Sequence, residues 1–336
     1  MACILAWGPV AAKADDTQKA FSLSTTTSCG LLYGQANEYV YNQYVSTDYK
    51  NSELTWPFEP LLFVGAGLKL DTKMGLVASL DVRQGLAGKT GTMTDSDFLN
   101  GDGVRTHFSQ SDSYTERAIL LDLKVGYDLP MTDKAWMFGF YGGFSYMDFK
   151  WSARDGYYQY PTTGSEYYWD SYGNLVAGTY TPWSSGETKT PIYGTGILYE
   201  EAYLLGLFGV HVGYKLGGGF SLGAACSVAP LALCYTEDNH ELRQIDFYSK
   251  LTGGFMIEPC LSVEYAIKPG ASLRLDLAYR SISGLKGDIT SVQQGTSSTS
   301  SNYNYFAGPD SASTGTGDSG AFISMLDASL SFHLAF

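Results

Sequence analysis

Two short acidic stretches carry the residue types that can move protons. In "LCYTEDNHELR" (Leu233–Arg243), Asp238 and His240 stand two apart where a run of apolar and aromatic residues ends. In "MTDSDFL" (Met93–Leu99), Asp95 and Asp97 have the same spacing. A carboxylate beside an imidazole fixes its tautomer and favours the imidazolium, leaving the other ring nitrogen as a general base. Two carboxylates held close raise the pKa of one of them, or recruit a proton, a water or a cation between them. A calcium loop does not fit the acidic pair, because Leu99 and Asn100 stand where an EF-hand needs an oxygen ligand and a glycine.

Residues two apart share a side on a strand; Asp238 and His240 end an alternating segment, while Asp95 and Asp97 fall in the first long loop region, beyond the third strand. The C-terminal "AFISMLDASLSFHLAF" puts Leu326, Ala328, Leu330, Phe332, Leu334 and Phe336 on one face, and Met325, Asp327, Ser329, Ser331 and His333 on the other. Residues 117–129, 271–280 and 74–83 repeat the scheme. An oily face backed by a charged one suits either a sandwich or a membrane barrel with a polar lumen. Connection lengths choose the barrel. Tight turns at Asp71-Thr72-Lys73, Leu129-Pro130-Met131, Gly217-Gly218-Gly219 and Lys268-Pro269-Gly270 alternate with long polar connections at 87–115, 153–195 and 286–318. That alternation places short turns at one rim and long loops at the other. The segments predict an all-β, ten-stranded, antiparallel up-and-down transmembrane barrel, with strands at 21–46, 51–70, 73–86, 115–128, 134–152, 196–216, 219–236, 243–268, 271–285 and 319–336. Several exceed the ~9–11 residues that cross a bilayer, so the barrel should project beyond the membrane on its long-loop side.

Composition agrees. Only 16% of the 336 residues are charged, 15% are aromatic with 26 Tyr, and Gly is abundant, as suits many strands, tight turns and aromatic belts. The net charge of −13 argues against nucleic acid, which needs a basic stripe, and is compatible with cationic peptides. At the N-terminus an apolar stretch runs into Ala12-Lys13-Ala14, an A-x-A type cleavage site. Residues 1–14 are therefore read as a signal peptide remnant and 15–336 as the exported barrel. Cys29, Cys226, Cys234 and Cys260 lack metal-ligand spacing and read as wall residues or at most one disulfide. No motif implies a metal or a cofactor. Segment 292–318 is rich in Ser, Thr and Gly and is given no chemical role.

Placing the opening stretch on a strand orients it. Leu233, Tyr235 and Glu237 form the outward set, so Thr236, Asp238 and His240 point into the barrel near its projecting rim. His211 and His333 read as lumen or wall residues, and His107 as a loop residue within reach of the cleft.

"MTDSDFL" and "EDNHE" resemble the two active-site motifs of the omptins, outer-membrane proteases built as ten-stranded barrels. "SCGLLYGQANEYVY" (28–41), "SELTWPFEPLLFVGAGL" (52–68) and "LAYRSISGLKGD" (277–288) are similar to that family's first, second and ninth strands, in order. The resemblance implies an endopeptidase of the bacterial outer membrane whose active site faces outside, with Asp238 and His240 as an Asp-His dyad and Asp95 and Asp97 as the facing Asp pair. It implies peptide or protein substrates, with Glu38 as the carboxylate that receives a basic side chain. Two departures stand out. The family's second pocket acid falls on Thr236, which predicts a weaker basic preference. The stretch matching the family's lipopolysaccharide-binding patch, "FSYMD" (Phe144–Asp148), has no Lys or Arg, so it gives no support to lipopolysaccharide dependence. These departures motivate a second reading, a catalytically silent barrel acting as porin or adhesin. Against it, all four residues with a proposed chemical role remain.

Overall fold

The computed structural model describes residues 20–42, 49–293 and 318–336. The expected signal segment lies outside the described residues. Strands β1 (Phe21–Tyr41), β2 (Lys50–Thr72), β3 (Leu76–Gly85), β4 (Gly88–Asp97), β5 (His107–Asp128) and β6 (Trp136–Gln159) come first in the chain. A small hairpin of β7 (Tyr168–Trp169) and β8 (Leu175–Val176) follows. The chain ends with β9 (Thr190–Gly217), β10 (Phe220–His240), β11 (Ile245–Lys268), β12 (Ala271–Gln293) and β13 (Asp318–Ala335). β3 and β4 lie end to end and both pair with β2 and β5, so together they form one wall strand. All wall pairings are antiparallel, and β1 pairs with both β2 and β13. The ring of ten wall strands therefore leaves no open edge, as an antiparallel membrane barrel requires.

The oily faces read from the sequence are the exposed ones. Leu68, Leu80, Leu123, Val125, Leu275, Leu277 and Leu330 all point outward, forming a band that belongs in lipid. Inside that band the lumen is filled with paired charges. Arg83 reaches Asp327, Arg280 Nε lies 2.6 Å from Glu258, and Arg274 Nη2 lies 2.7 Å from Asp276. All six are almost fully buried. Such pairs are costly to desolvate and tolerable only when both partners are present; here they close the barrel's centre. His211 and His333 belong to this interior, bonded to Asp128 (2.9 Å) and Thr26 (2.8 Å). Cys29, Cys226, Cys234 and Cys260 are free thiols, so no disulfide joins them.

Strands run further than the sequence suggested. Residues 88–97, 107–115, 153–159, 190–195 and 286–293, expected to be loop, are extensions of the wall. The cause is physical: above the membrane the outer face meets water, so the alternation of apolar and polar residues that marks a lipid-facing strand disappears. Asp95 and Asp97 therefore sit on β4, not in a loop.

Several strands change parity where they leave the lipid band. In β10 the pairings skip at Pro230 and Leu231; below them Ser227 and Ala229 face inward, above them Ala232, Cys234, Thr236 and Asp238 do. β2, β5 and β12 shift register near Glu59-Pro60, Glu116 and Ser283-Gly284. A bulge adds one unpaired residue and so exchanges the two faces of the strand beyond it. In β11, Gly253 takes φ 78° within the same belt, a conformation glycine adopts without a Cβ penalty.

Candidate functional site

Above the belt the interior is first closed by an aromatic layer. Trp56 stacks on Tyr199 (5.4 Å, 10°) and Trp151 (6.0 Å, 25°), while Phe149 packs on Trp151 (5.5 Å) and Phe58 (5.1 Å). All five rings are fully buried. They form the floor between the charged lumen and a cleft that opens to the long-loop rim.

That cleft has a volume of about 450 Å³, within the range of small-molecule and peptide side-chain sites. Asp95, Asp97, Asp238, His240, Glu38 and His107 all line it. The structure thus brings these six side chains together from four different strands. Pairing explains how. Leu54 of β2 is the Cα partner of both Glu38 in β1 and Asp95 in β4, so the two acids flank one residue and share its inward face. Asp97 pairs with Ser52 and His107. Asp238 and His240 hang from the end of β10, paired with Phe247 and Ile245 of β11.

His240 Nε2 lies 2.7 Å from Asp238 Oδ2, which leaves Nδ1 as the second ring nitrogen. Its edge meets the Phe247 ring (5.3 Å, 75°), which limits ring rotation. Burial works against the imidazolium, but the charge of Asp238 and its hydrogen bond outweigh it, so His240 titrates above its ordinary value. Asp238 Oδ1 is buried without a partner among the described residues. Across the cleft, burial and the charge of Asp97 push the Asp95 carboxyl up to about 8, so it holds a proton at neutral pH. Burial also raises Asp97, offset in part by its bond with Ser52 and by Arg243. The charge of Asp97 makes Asp95 harder to ionise, as the spacing alone suggested.

Sequence reasoning missed several residues of the cleft. Arg243 lines it and its smaller side pocket, where its positive charge acts on Asp95, Asp97, His240 and His107. The signal was its place three residues after His240, in the short β10–β11 turn whose Arg243 N–H donates to the His240 carbonyl (3.0 Å). Tyr160 also lines both spaces; burial and the two Asp charges hold its phenol well above the usual range. Its ring packs on His107 (4.8 Å), which meets Tyr180 edge-on (4.7 Å). Tyr160, Glu166 and Tyr180 come from the 160–189 connection, whose folding against residues 99–105 no local pattern announced. Asn100 Nδ2 donates to the Tyr180 carbonyl (2.8 Å), and the Tyr180 N–H donates back to Asn100 Oδ1 (3.0 Å). Arg105 stacks over Trp183 (3.8 Å).

Thr236 is buried and inward, as its parity required, and its Cα partner on β9 is Glu201. On the outer wall, Glu237 faces away from the cleft, beside Glu200 and Lys150. The stretch 144–148 has no cation of its own, but Asp148 is met by Arg117 Nε (2.8 Å) from β5. Lys150 Nζ stands 3.2 Å from Glu200. The outer face near Asp148 therefore carries two cations that the five-residue motif does not contain.

Comparison with known proteins agrees with this architecture. Residues 19–316 match the model of the omptin family. The plasminogen activator of Yersinia pestis is 22% identical over 275 residues, which make up 81% of this chain and 80% of that protein. The crystal structure of the outer membrane protease OmpT from Escherichia coli superposes with a TM-score of 0.73 at 17% identity, covering 95% of this chain and 99% of that one. A cleft of inward acids on a ten-stranded outer-membrane barrel, matched to one family model over most of its length, makes this chain a member of the omptin family.

Proposed function

We propose that this outer-membrane protein is an endopeptidase in which water, activated between the Asp238–His240 dyad and the Asp95/Asp97 pair, attacks the peptide carbonyl. The observation that carries the reading is the convergence of both pairs on one cleft, where Asp238 holds the His240 imidazole above its ordinary value and burial with Asp97 pushes the Asp95 carboxyl up to about 8. His240 takes a proton from the water at its free ring nitrogen, and Asp238 holds the imidazolium that results. Protonated Asp95 donates a hydrogen bond to the carbonyl oxygen as negative charge develops there, while Asp97 orients the water. The tetrahedral intermediate collapses when His240 returns the proton to the leaving amine. No acyl-enzyme forms, because the nucleophile is water.

Kinship supports the reaction class: OmpT is an outer membrane protease. Glu38 supports the specificity. It is 2% exposed, lines the cleft, and leaves Oε2 without a partner. Burial and the charges of Asp238, Glu201 and Asp95 push its carboxyl well above its ordinary value. A lysine or arginine side chain of the substrate offers the cation this acid lacks.

The test is to fold the protein in detergent and assay quenched fluorescent peptides with Arg, Lys or a neutral residue at the cleavage site, with His240→Ala as control. Hydrolysis next to basic residues that disappears in His240→Ala is the expected result; hydrolysis that survives the substitution would refute the dyad. Of the silent-barrel readings the porin finds less support, because a lumen blocked by buried charge pairs does not suit a channel.

A further inference from the structure

The omptin resemblance leaves Thr236 where a second pocket acid is expected, and the structure puts a carboxylate beside it. Glu201, on β9, is the residue paired with Thr236. It is fully buried, its side chain faces inward, and both of its oxygens are fixed: Tyr199 Oη donates to Oε1 and Tyr203 Oη to Oε2, each at 2.7 Å. Tyr199 is itself clamped between Trp56 and Trp151. Two phenol donors on one carboxylate stabilise its anion and hold it in place. Among the described residues no lysine or arginine pairs with Glu201 or with Glu38. A buried pair of acids with no resident cation, one of them at the base of an open cleft with an unused oxygen, is complementary to a cation supplied from outside.

We infer that Glu201 is the second carboxylate of the basic-side-chain pocket, moved from β10 to β9, and that Glu38 and Glu201 hold a proton in the empty pocket which is released when a substrate Lys or Arg enters. This rests on the reading that Glu38 receives that side chain. Glu201 acts from behind Glu38, through its charge, as a specificity-determining residue. The groups that interact with it are Tyr199 and Tyr203 on its own strand, Cys234 on β10, and Glu38 and Tyr39 on β1, while Asp238 and Asp95 act on Glu38; β6 contributes the uncharged rings of Phe149 and Trp151. Burial sets Glu201 at about 7, with the two tyrosine bonds opposing the rise. Below that pH Glu201 is protonated and the pocket attracts a cation weakly; above it Glu201 is ionised and the attraction is stronger.

The experiment measures kcat/KM for an Arg peptide and its neutral analogue between pH 5.5 and 8.5, in the parent, Glu38→Gln, Glu201→Gln and the double variant Glu201→Gln/Thr236→Asp. In the parent the Arg-over-neutral ratio should rise with pH through about 7. Glu201→Gln should lower that ratio about tenfold, mostly in KM, and flatten its pH dependence, while adding Thr236→Asp restores it. A ratio that stays flat with pH in the parent, or that Glu201→Gln leaves within twofold, overturns the inference. The pH series needs no variant, so a Glu201→Gln chain that does not fold leaves the test intact. If Glu38→Gln abolishes the preference and Glu201→Gln does not, only the role of Glu201 fails. A parent with no preference removes the Glu38 reading as well.

Discussion

At the level of single residues, the proposed chemistry rests on one imidazole and its immediate charges. General-base catalysis contributes on the order of 10²–10⁴ in rate, so Asp238→Asn and His240→Ala should each lower kcat by about that factor. Circular dichroism of the folded barrel should not change. Asp95→Asn and Asp97→Asn should also impair turnover. The pH profile follows from the same charges. His240 must be neutral to accept a proton, and Asp238 raises its titration, so kcat/KM should fall as pH drops below an acid limb lying above the ordinary 6.5 of histidine. The Asp95 proton, held to about 8, sets the basic limb. Arg243 lowers both groups; its cation disfavours the imidazolium and favours the carboxylate. Arg243→Gln should therefore move both limbs to higher pH, and a profile identical to the parent's would show that Arg243 does not act on the pair.

Single strands decide which residues reach the cleft. Thr236, Asp238 and His240 face inward because β10 skips a pairing at Pro230 and Leu231. Deleting Pro230 removes the extra residue and turns the upper part of the strand over. Peptide hydrolysis should then drop to the level of His240→Ala while the far-UV spectrum stays that of a sheet; retention of more than a tenth of parental activity would contradict the bulge's role. The aromatic floor is a second element-scale device. Trp151 contacts Trp56, Phe58, Phe149 and Tyr199, and truncating a buried Trp costs about 3–5 kcal/mol. Trp151→Ala should lower the thermal unfolding temperature in detergent and weaken activity, since the floor supports Tyr199 and through it Glu201.

The whole molecule is a closed ring of antiparallel strands with a lipid-facing band below and a walled cleft above. Its lumen is blocked by buried ion pairs, so planar bilayers containing the folded protein should show no steady ion conductance. Channel-like currents would mean that the Arg83–Asp327 and Arg280–Glu258 pairs do not close the barrel. The 160–189 connection completes the cleft by supplying Tyr160 and Glu166, and it is anchored through Asn100 and Arg105. Asn100→Ala should raise KM more than it lowers kcat, because it loosens the cleft wall without touching the dyad.

The sequence by itself determined the band and its period. Lipid on one side and charge on the other impose strict alternation, so the lipid-crossing strands, their tight turns and the total of ten could be read from hydropathy. It also determined the inward direction of Asp238 and His240, because the parity of Leu233, Tyr235 and Glu237 was read locally, entirely above the bulge. Carried up from the lower half of β10, where Ser227 and Ala229 point inward, the same rule gives the opposite answer. Only the tertiary structure decided the rest. Bulges depend on pairing with neighbours, and strands above the membrane lose the solvent contrast that makes alternation visible, so Asp95 and Asp97 read as loop. Glu201 stands in "YEEAY", where one glutamate must face in and one out, but which acid it accompanies depends on register between β9 and β10, a relation across 35 residues of chain. Long-range pairing brings Asp95, Glu201 and Asp238 within reach of Glu38, and that proximity, not residue type, gives the cleft its charge.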